Sequence, residues 1–168
     1  MTQLHAQPYN ISATGFYFET VEEFDRKAKV NRNRHGQHVE EYEIQFMDGE
    51  DIDCALAKAW GVNQANLAGY FSAVEDWDEH SKQIFIIAVD EVGYSFDPES
   101  VSPDDFDMDI YHLESMKALA EQFVEEGLLG DIPDHLASYI NMDAIAHDLG
   151  FDYVETSIAG ERLIYRAG

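Results

Sequence analysis

Residues 106–130, FDMDIYHLESMKALAEQFVEEGLLG, decide the fold class because their hydrophobic period changes part-way along. Over residues 106–111 apolar and acidic residues alternate, which predicts a half-buried β-strand. Over residues 113–128 the apolar residues recur at helical spacing, and Gly127 and Gly130 end the pattern. A strand that runs directly into an amphipathic helix predicts an α+β fold.

The C-terminal residues continue this pattern. We predict a loop at Ile132 and Pro133, followed by a short helix over residues 142–149 that Gly150 ends. Residues 153–158 and 162–165 are predicted to pair as a hairpin. The C-terminal part therefore combines a sheet with two helices.

The N-terminal residues predict a similar combination. Residues 15–20 and 39–47 have strand patterns, and residues 21–32 between them form an amphipathic helix. A pair of helices starts near Asp51 and Asn63. We expect short antiparallel sheets packed with short helices, in two or three small lobes of an elongated acidic body.

The division of the chain is expected near the middle. Residues 83–92 are compatible with strand or helix, and we favour helix because the residues before them are acidic, as is typical of a helix start. No repeat and no Ser-, Gly- or Pro-rich linker interrupts the sequence. The expected domains are an N-terminal α+β lobe with the helical pair, residues 1–80, and a C-terminal α+β lobe with the terminal hairpin, residues 81–168.

The net charge of the chain limits the class of partner. Its 168 residues include 34 acidic and 10 basic side chains, a net charge of −24, and 12% of the residues are aromatic, which argues against disorder. A charge of this sign repels phosphate and disfavours nucleic acids and anionic membranes as partners, whereas it favours proteins with basic surfaces. No apolar run could span a bilayer and no export signal is recognisable, so we expect a cytoplasmic protein. The single cysteine, Cys54, is expected to be buried.

No arrangement of residues indicates catalysis or a bound metal. The seven histidines lack ligand spacing, and a calcium-loop pattern that starts at Asp105 fails at Ile110 and Met116, where glycine and glutamate are required. Phosphate-binding loops and nucleophile elbows are also absent. We therefore expect no enzyme activity, no cofactor and no metal. A hydrolase that uses a carboxylate pair, such as Asp104 and Asp105, is an alternative.

The spacing of the carboxylates suggests what the charge does. Same-face neighbours lie about 5 to 6 Å apart on a helix and about 6.6 to 6.8 Å apart on a strand. To a basic groove, these intervals resemble the phosphates of duplex DNA. Asp105, Asp107 and Asp109 are predicted to form one such row on a strand face, although a solvated edge strand is the alternative. The expected phosphate stand-ins are Asp97, Glu99, Asp104, Asp105, Asp107, Asp109 and Glu114.

Residues 119–136, LAEQFVEEGLLGDIPDHL, and 139–149, YINMDAIAHDL, resemble the C-terminal region of the ArdA antirestriction proteins. The closing hairpin over residues 153–166 also fits, and residues 40–78 are similar more loosely. The N-terminal residues depart from the family's opening strand.

The resemblance implies an acidic homodimer that imitates bent duplex DNA and occupies the DNA-binding groove of type I restriction-modification enzymes, at the methyltransferase core. Such an inhibitor catalyses nothing and protects incoming plasmid, transposon or phage DNA. Residues 123–136 match the family's antirestriction motif, which we expect near the dimer contact, with Leu128, Leu129 and Ile132 as apolar contacts. The motif residues in question are Phe123, Glu125, Glu126, Leu128, Leu129, Asp131, Ile132, Asp134 and Leu136.

The acidic surface is also compatible with different roles. The chain could be an acidic interaction module for another basic protein, such as a nucleoid or DNA-repair protein. Adaptation to high salt also produces acidic surfaces. The motif residues could equally form an ordinary helix end and loop.

Overall fold

The computed structural model describes residues 1–168, which form two compact units, Met1–Phe106 and Asp107–Gly168. Each unit contains a three-stranded antiparallel sheet together with helices, so the α+β fold class is confirmed. The expected domain boundary between residues 80 and 81 falls within a helix. The chain divides into the two compact units between residues 106 and 107.

The sheet of the first unit has its N-terminal strand in the centre. Its elements are β1 (Gln3–Pro8), β2 (Phe16–Phe18), α1 (Val21–Val30) and β3 (Tyr42–Asp48). β1 pairs antiparallel with both β2 and β3. The sequence analysis identified β2, α1 and β3 but assigned no strand before residue 15. The missed signal is the alternation of Leu4 and Ala6 with polar residues, since both side chains are fully buried.

Three helices complete the first unit. They are α2 (Asp51–Trp60), α3 (Leu67–Asp76) and α4 (Glu79–Ile86), and a π-helical turn, Ile87–Val92, continues α4. The helix predicted over residues 83–92 is therefore confirmed. Trp60 packs against Phe85 with ring centroids 4.9 Å apart, which places α2 against α4. This packing explains why α4 lies within the first unit.

One residue of α2 contradicts the sequence analysis. Cys54 is exposed rather than buried. The neighbouring Asp53 is buried instead, because the α2 face that contains it packs inward with Ile52 and Leu56.

The second unit is built around its C-terminal strand. Its elements are β4 (Met108–Tyr111), α5 (Met116–Glu125), the 3₁₀ turn Asp134–Tyr139, α6 (Met142–Leu149), β5 (Val154–Ile158) and β6 (Glu161–Ala167). The sheet order is β4-β6-β5. The predicted hairpin is confirmed, with Ala159 and Gly160 between its strands at φ values of 50° and 84°, as a type I′ turn requires. Phe123 and Tyr153 pack in the core with Leu119 and Ile164.

Candidate functional site

The acidic side chains lie almost entirely on the surface. Of the 34 acidic residues, 30 are exposed, three are half-buried and Asp53 alone is buried. The first unit has 21 acids and 7 bases and the second has 13 acids and 3 bases, so their net charges are −14 and −10. Both units are therefore strongly acidic.

Few of these surface charges are neutralised within the chain. Ion pairs with lysine or arginine involve three of the exposed carboxylates, those of Asp90, Asp109 and Asp143. The remaining negative charge faces solvent, where it acts at a distance of about one Debye length, roughly 8 Å at physiological salt. Each unit thus presents an anionic surface to any partner.

The seven carboxylates that the sequence analysis selected are all exposed. Asp97, Glu99, Asp104 and Asp105 belong to the first unit; Asp107, Asp109 and Glu114 belong to the second. Backbone groups hold two of them in place. The Asp97 carboxylate accepts hydrogen bonds from the Glu99 amide at 3.0 Å and the Ser100 hydroxyl at 3.1 Å, and Asp105 accepts from the Ser102 amide at 2.8 Å.

The predicted row of three aspartates on one strand is wrong. Asp105 lies in a 3₁₀ turn, Pro103–Asp105, because Pro103 starts the turn and Ser102 forms a capping box with Asp105. β4 starts only at Met108, so Asp109 is the one member of the row within the strand.

Asp109 is moreover neutralised across the sheet. It stands opposite Arg166 in the β4–β6 ladder, and the Arg166 guanidinium donates to its carboxylate at 3.0 Å. Tyr153 and then Asp109 raise the pKa of Arg166 above its ordinary value. Asp109 therefore presents less free charge than the other carboxylates of the set.

The segment that resembles the antirestriction motif starts at a defined helix end. Gly127 adopts φ 74°, and the Leu128 amide donates to the Phe123 carbonyl at 3.0 Å while the Gly127 amide donates to that of Val124 at 3.2 Å. These two bonds form a Schellman motif, which requires a left-handed residue and so favours glycine. Phe123 is buried, whereas Leu128 after the glycine is 61% exposed.

The residues that follow leave several large apolar side chains exposed. From Val124 to Asp152 no residue is buried, although this stretch includes all of α6. Ile132 is half-buried, and the charged motif residues Glu125, Glu126, Asp131 and Asp134 are exposed. The large apolar residues exposed there are Leu128, Leu129, Leu136, Tyr139 and Phe151. Exposed apolar residues that lie together in one patch are typical of interaction sites. We call residues 124–152 the apolar segment.

The first unit contains a feature that the sequence analysis missed. A cavity of about 730 Å³, the first-unit cavity, opens beside the starts of α1 and α2 and one face of α3. In its wall the Lys82 ammonium donates to the Asp53 carboxylate at 2.7 Å, and the Thr2 hydroxyl donates to the same carboxylate at 3.0 Å. The two charged side chains are only 8% and 6% exposed.

A tyrosine ties this ion pair to the core. The Tyr70 hydroxyl donates to the Asp53 carbonyl at 2.9 Å, and burial, followed by the Asp53 charge, raises the pKa of Tyr70. The sequence signal for the pair was Asp53 itself, an acid on the apolar face of α2. Its partner, 29 residues away on α4, could not be assigned from spacing.

Two carboxyl groups have a shifted pKa. Both carboxyls with a shifted pKa are shifted downward: hydrogen bonds from Lys27 lower the pKa of Glu23, and those from Ser81 lower that of Asp78. No three His, Cys, Asp or Glu side chains are grouped to hold a metal ion. No helix has the length and apolar content to cross a membrane.

Comparison with known proteins identifies a family. The family described as Antirestriction protein (ArdA) matches residues 8–160 of the chain. No curated protein matches the chain. The matched range includes residues of both units, the seven selected carboxylates and the whole apolar segment.

Proposed function

The chain belongs to the ArdA family of antirestriction proteins, and from this premise we propose that it inhibits type I restriction-modification enzymes by imitating duplex DNA. Proteins of this family are inhibitors directed against restriction enzymes. The proposed target is the DNA-binding groove of the methyltransferase core. Bound there, the protein keeps the enzyme from incoming DNA and needs no catalytic step.

The observation that carries this proposal is the exposed, largely unpaired carboxylate surface of both units. Duplex DNA carries one charge per about 1.7 Å of its axis, so the net charge of −24 equals that of about 40 Å of duplex. A groove that binds DNA through lysine and arginine would meet a comparable number of anions. Its association with the inhibitor would be steered by the same long-range field.

The hydrogen bonds that hold two of the carboxylates support imitation rather than loose charge attraction. Asp97 and Asp105 are held by backbone and hydroxyl donors, so their positions do not depend on long flexible side chains. Rigid anions lose less side-chain entropy when a basic groove orders them. The stand-ins proposed are the seven carboxylates, with Asp109 the weakest member because Arg166 neutralises it.

We further propose that the protein works as a homodimer joined through the apolar segment. That segment exposes five large apolar side chains in the single chain, and burial against a second copy would remove them from water. Two copies would double the charge offered to the enzyme. Glu125, Glu126, Asp131 and Asp134 would then lie at the edge of the contact, where charged residues are commonly found.

The proposed place of action follows from the target. We expect the protein to act in the cytoplasm, where restriction enzymes encounter incoming DNA, and to protect the DNA of a mobile element. It would need no cofactor.

A competition experiment tests the proposed function. Labelled duplex DNA is bound to a type I methyltransferase core and displaced by the protein at several salt concentrations. We expect displacement that weakens as salt rises, because exposed charges are screened. A variant with all seven carboxylates changed to amides should lose displacement. The matched control changes seven exposed acids outside this set, the first-unit cavity and the apolar segment, and it should keep more of the displacement. DNA that stays bound at saturating protein would refute the proposal.

A further inference from the structure

The first-unit cavity has the size of a ligand site and a mixed apolar and acidic lining. At about 730 Å³ it lies within the range of roughly 300 to 1,000 Å³ that is usual for ligand sites. One face of α3 lines it, because Ala68, Phe71, Ser72 and Glu75 follow one another at helical spacing. Phe71 and Val74 are half-buried and supply an apolar wall.

The charges around this cavity favour a cation. Four glutamates are among the residues that line it, Glu19, Glu22, Glu50 and Glu75. Inside, Asp53 and Lys82 cancel each other as an ion pair. The N-terminal ends of α1 and α2 add about half a positive charge each, and Met1, which also lines the cavity, adds the positive charge of its α-amino group, so a net charge of about −2 remains.

The combination of an aromatic wall and carboxylates is selective among cations. A guanidinium group is planar, so it can stack on an aromatic ring such as that of Phe71 and donate N–H groups to carboxylates at the same time. It is also more weakly hydrated than an ammonium group, which lowers the cost of placing it in a half-enclosed site. The apolar wall suits the methylene stem of the side chain.

We propose that the first-unit cavity receives an arginine side chain of the basic partner protein. The inference rests on the proposed function, in which the partner surface that supplies the arginine is the DNA-binding groove. The exposed carboxylates would spread their effect over many weak contacts. The cavity would instead concentrate recognition at one arginine, in the manner of an interface hot spot.

Binding of a small probe tests the cavity without any enzyme. The full chain is titrated with N-acetyl-arginine amide while the backbone amide signals of Thr20, Phe71 and Ser72 are followed by NMR. We expect saturable shifts at these positions, and none with the neutral analogue N-acetyl-citrulline amide. Equal shifts with both probes, or no saturable shift with arginine, would overturn the inference.

Variants of the lining glutamates connect the cavity to the partner. The Glu50→Gln/Glu75→Gln variant removes two exposed charges at the cavity. Glu40→Gln/Glu41→Gln removes two exposed charges elsewhere in the same unit and is the matched control. We expect the first variant to bind the methyltransferase core about tenfold more weakly than the control, because it loses charge-assisted hydrogen bonds. Equal affinities of the two variants would refute the special role of the cavity.

A steric variant separates charge from shape. Ser72→Leu keeps the net charge and fills part of the cavity from an exposed position of α3. We expect it to abolish the shifts caused by the arginine probe, and circular dichroism checks that it folds. Probe shifts as large as in the unchanged chain would contradict the proposal.

The outcomes distinguish this inference from the proposed function. If the unchanged chain displaces DNA but ignores the arginine probe, the cavity inference fails and the mimicry proposal stands. If it binds the probe but never displaces DNA, mimicry fails and the cavity is a site for guanidinium groups of another partner.

Discussion

Removal of two leucines from the apolar segment should separate the proposed homodimer. Leu128 and Leu129 are 61% and 53% exposed, so each has about half of its surface left to bury in a contact. Full burial of a leucine side chain contributes about 1.5–3 kcal/mol, and the two exposed fractions together therefore contribute about 2 to 3 kcal/mol per protomer.

Symmetry doubles this effect. In a two-fold contact each protomer contributes the same residues, so Leu128→Ser/Leu129→Ser should cost the dimer about 4 to 6 kcal/mol. The dissociation constant should rise about a thousandfold or more. Folding of the single chain should change little, because neither side chain is buried.

Sedimentation across a range of concentrations measures the dissociation constant directly. The exposed Cys54 is the only cysteine, so one spin label there gives a single label-to-label distance in a dimer and none in a monomer. Loss of that distance in the double variant would confirm dissociation at the concentrations used for inhibition.

The control variant is Ile11→Ser/Val30→Ser. These residues are 98% and 71% exposed and belong to the first unit, so replacing them removes more exposed apolar surface than the leucine variant does and leaves the apolar segment unchanged. The reasoning is refuted if the leucine variant dimerises as well as the unchanged chain, or if the control dissociates equally.

Three further results are expected. Lys82→Met should destabilise the fold by about 3 to 5 kcal/mol in urea unfolding, because it leaves the Asp53 carboxylate buried without its counter-ion. The double variant Lys82→Met/Asp53→Leu should recover part of the loss. No recovery would argue that Lys82 stabilises by packing alone. The Lys27 hydrogen bond lowers the pKa of Glu23 below 4.5 in the folded chain. The contribution of this bond to stability should therefore be present above pH 4.5 and disappear as pH falls through the lowered pKa. Glu23→Gln and the unchanged chain should differ in urea midpoint at pH 7 and converge in acid. Replacing a single exposed carboxylate, as in Asp104→Asn, should change inhibition by less than about fivefold, whereas a larger loss would indicate a localised site.

The proposed division of roles between the exposed carboxylates and the first-unit cavity would make a DNA imitation both fast and selective. Many exposed carboxylates raise the rate of encounter with any basic groove, and this effect falls with salt. A recessed cavity with an aromatic wall would respond to shape as well as charge. The two contributions can be separated experimentally, because the cavity variants and the block of surface amides alter different residues.

Much of the fold was accessible from local patterns. The change of period at residues 106–130, the helix over 142–149 and the final hairpin all appear in the structure, because alternation and helical spacing reflect which face of an element is buried. The row of aspartates failed for a local reason as well: Pro103 and the Ser102 cap hold Asp105 in a turn. That turn chemistry outweighed the alternation of residue types.

The amino-acid sequence by itself determined the α+β class, the acidic surface and the resemblance of residues 119–149 to the antirestriction family, since each depends on composition or on neighbours along the chain. Only the tertiary structure decided that β1 is the central strand, that Asp53 and Lys82 form a buried pair, and that no residue from 124 to 152 is buried. The first two features bring together residues that are distant in sequence, and the third reflects that no distant residues cover the segment. Their energies come from burial and pairing in three dimensions, which periodicity along a chain does not encode.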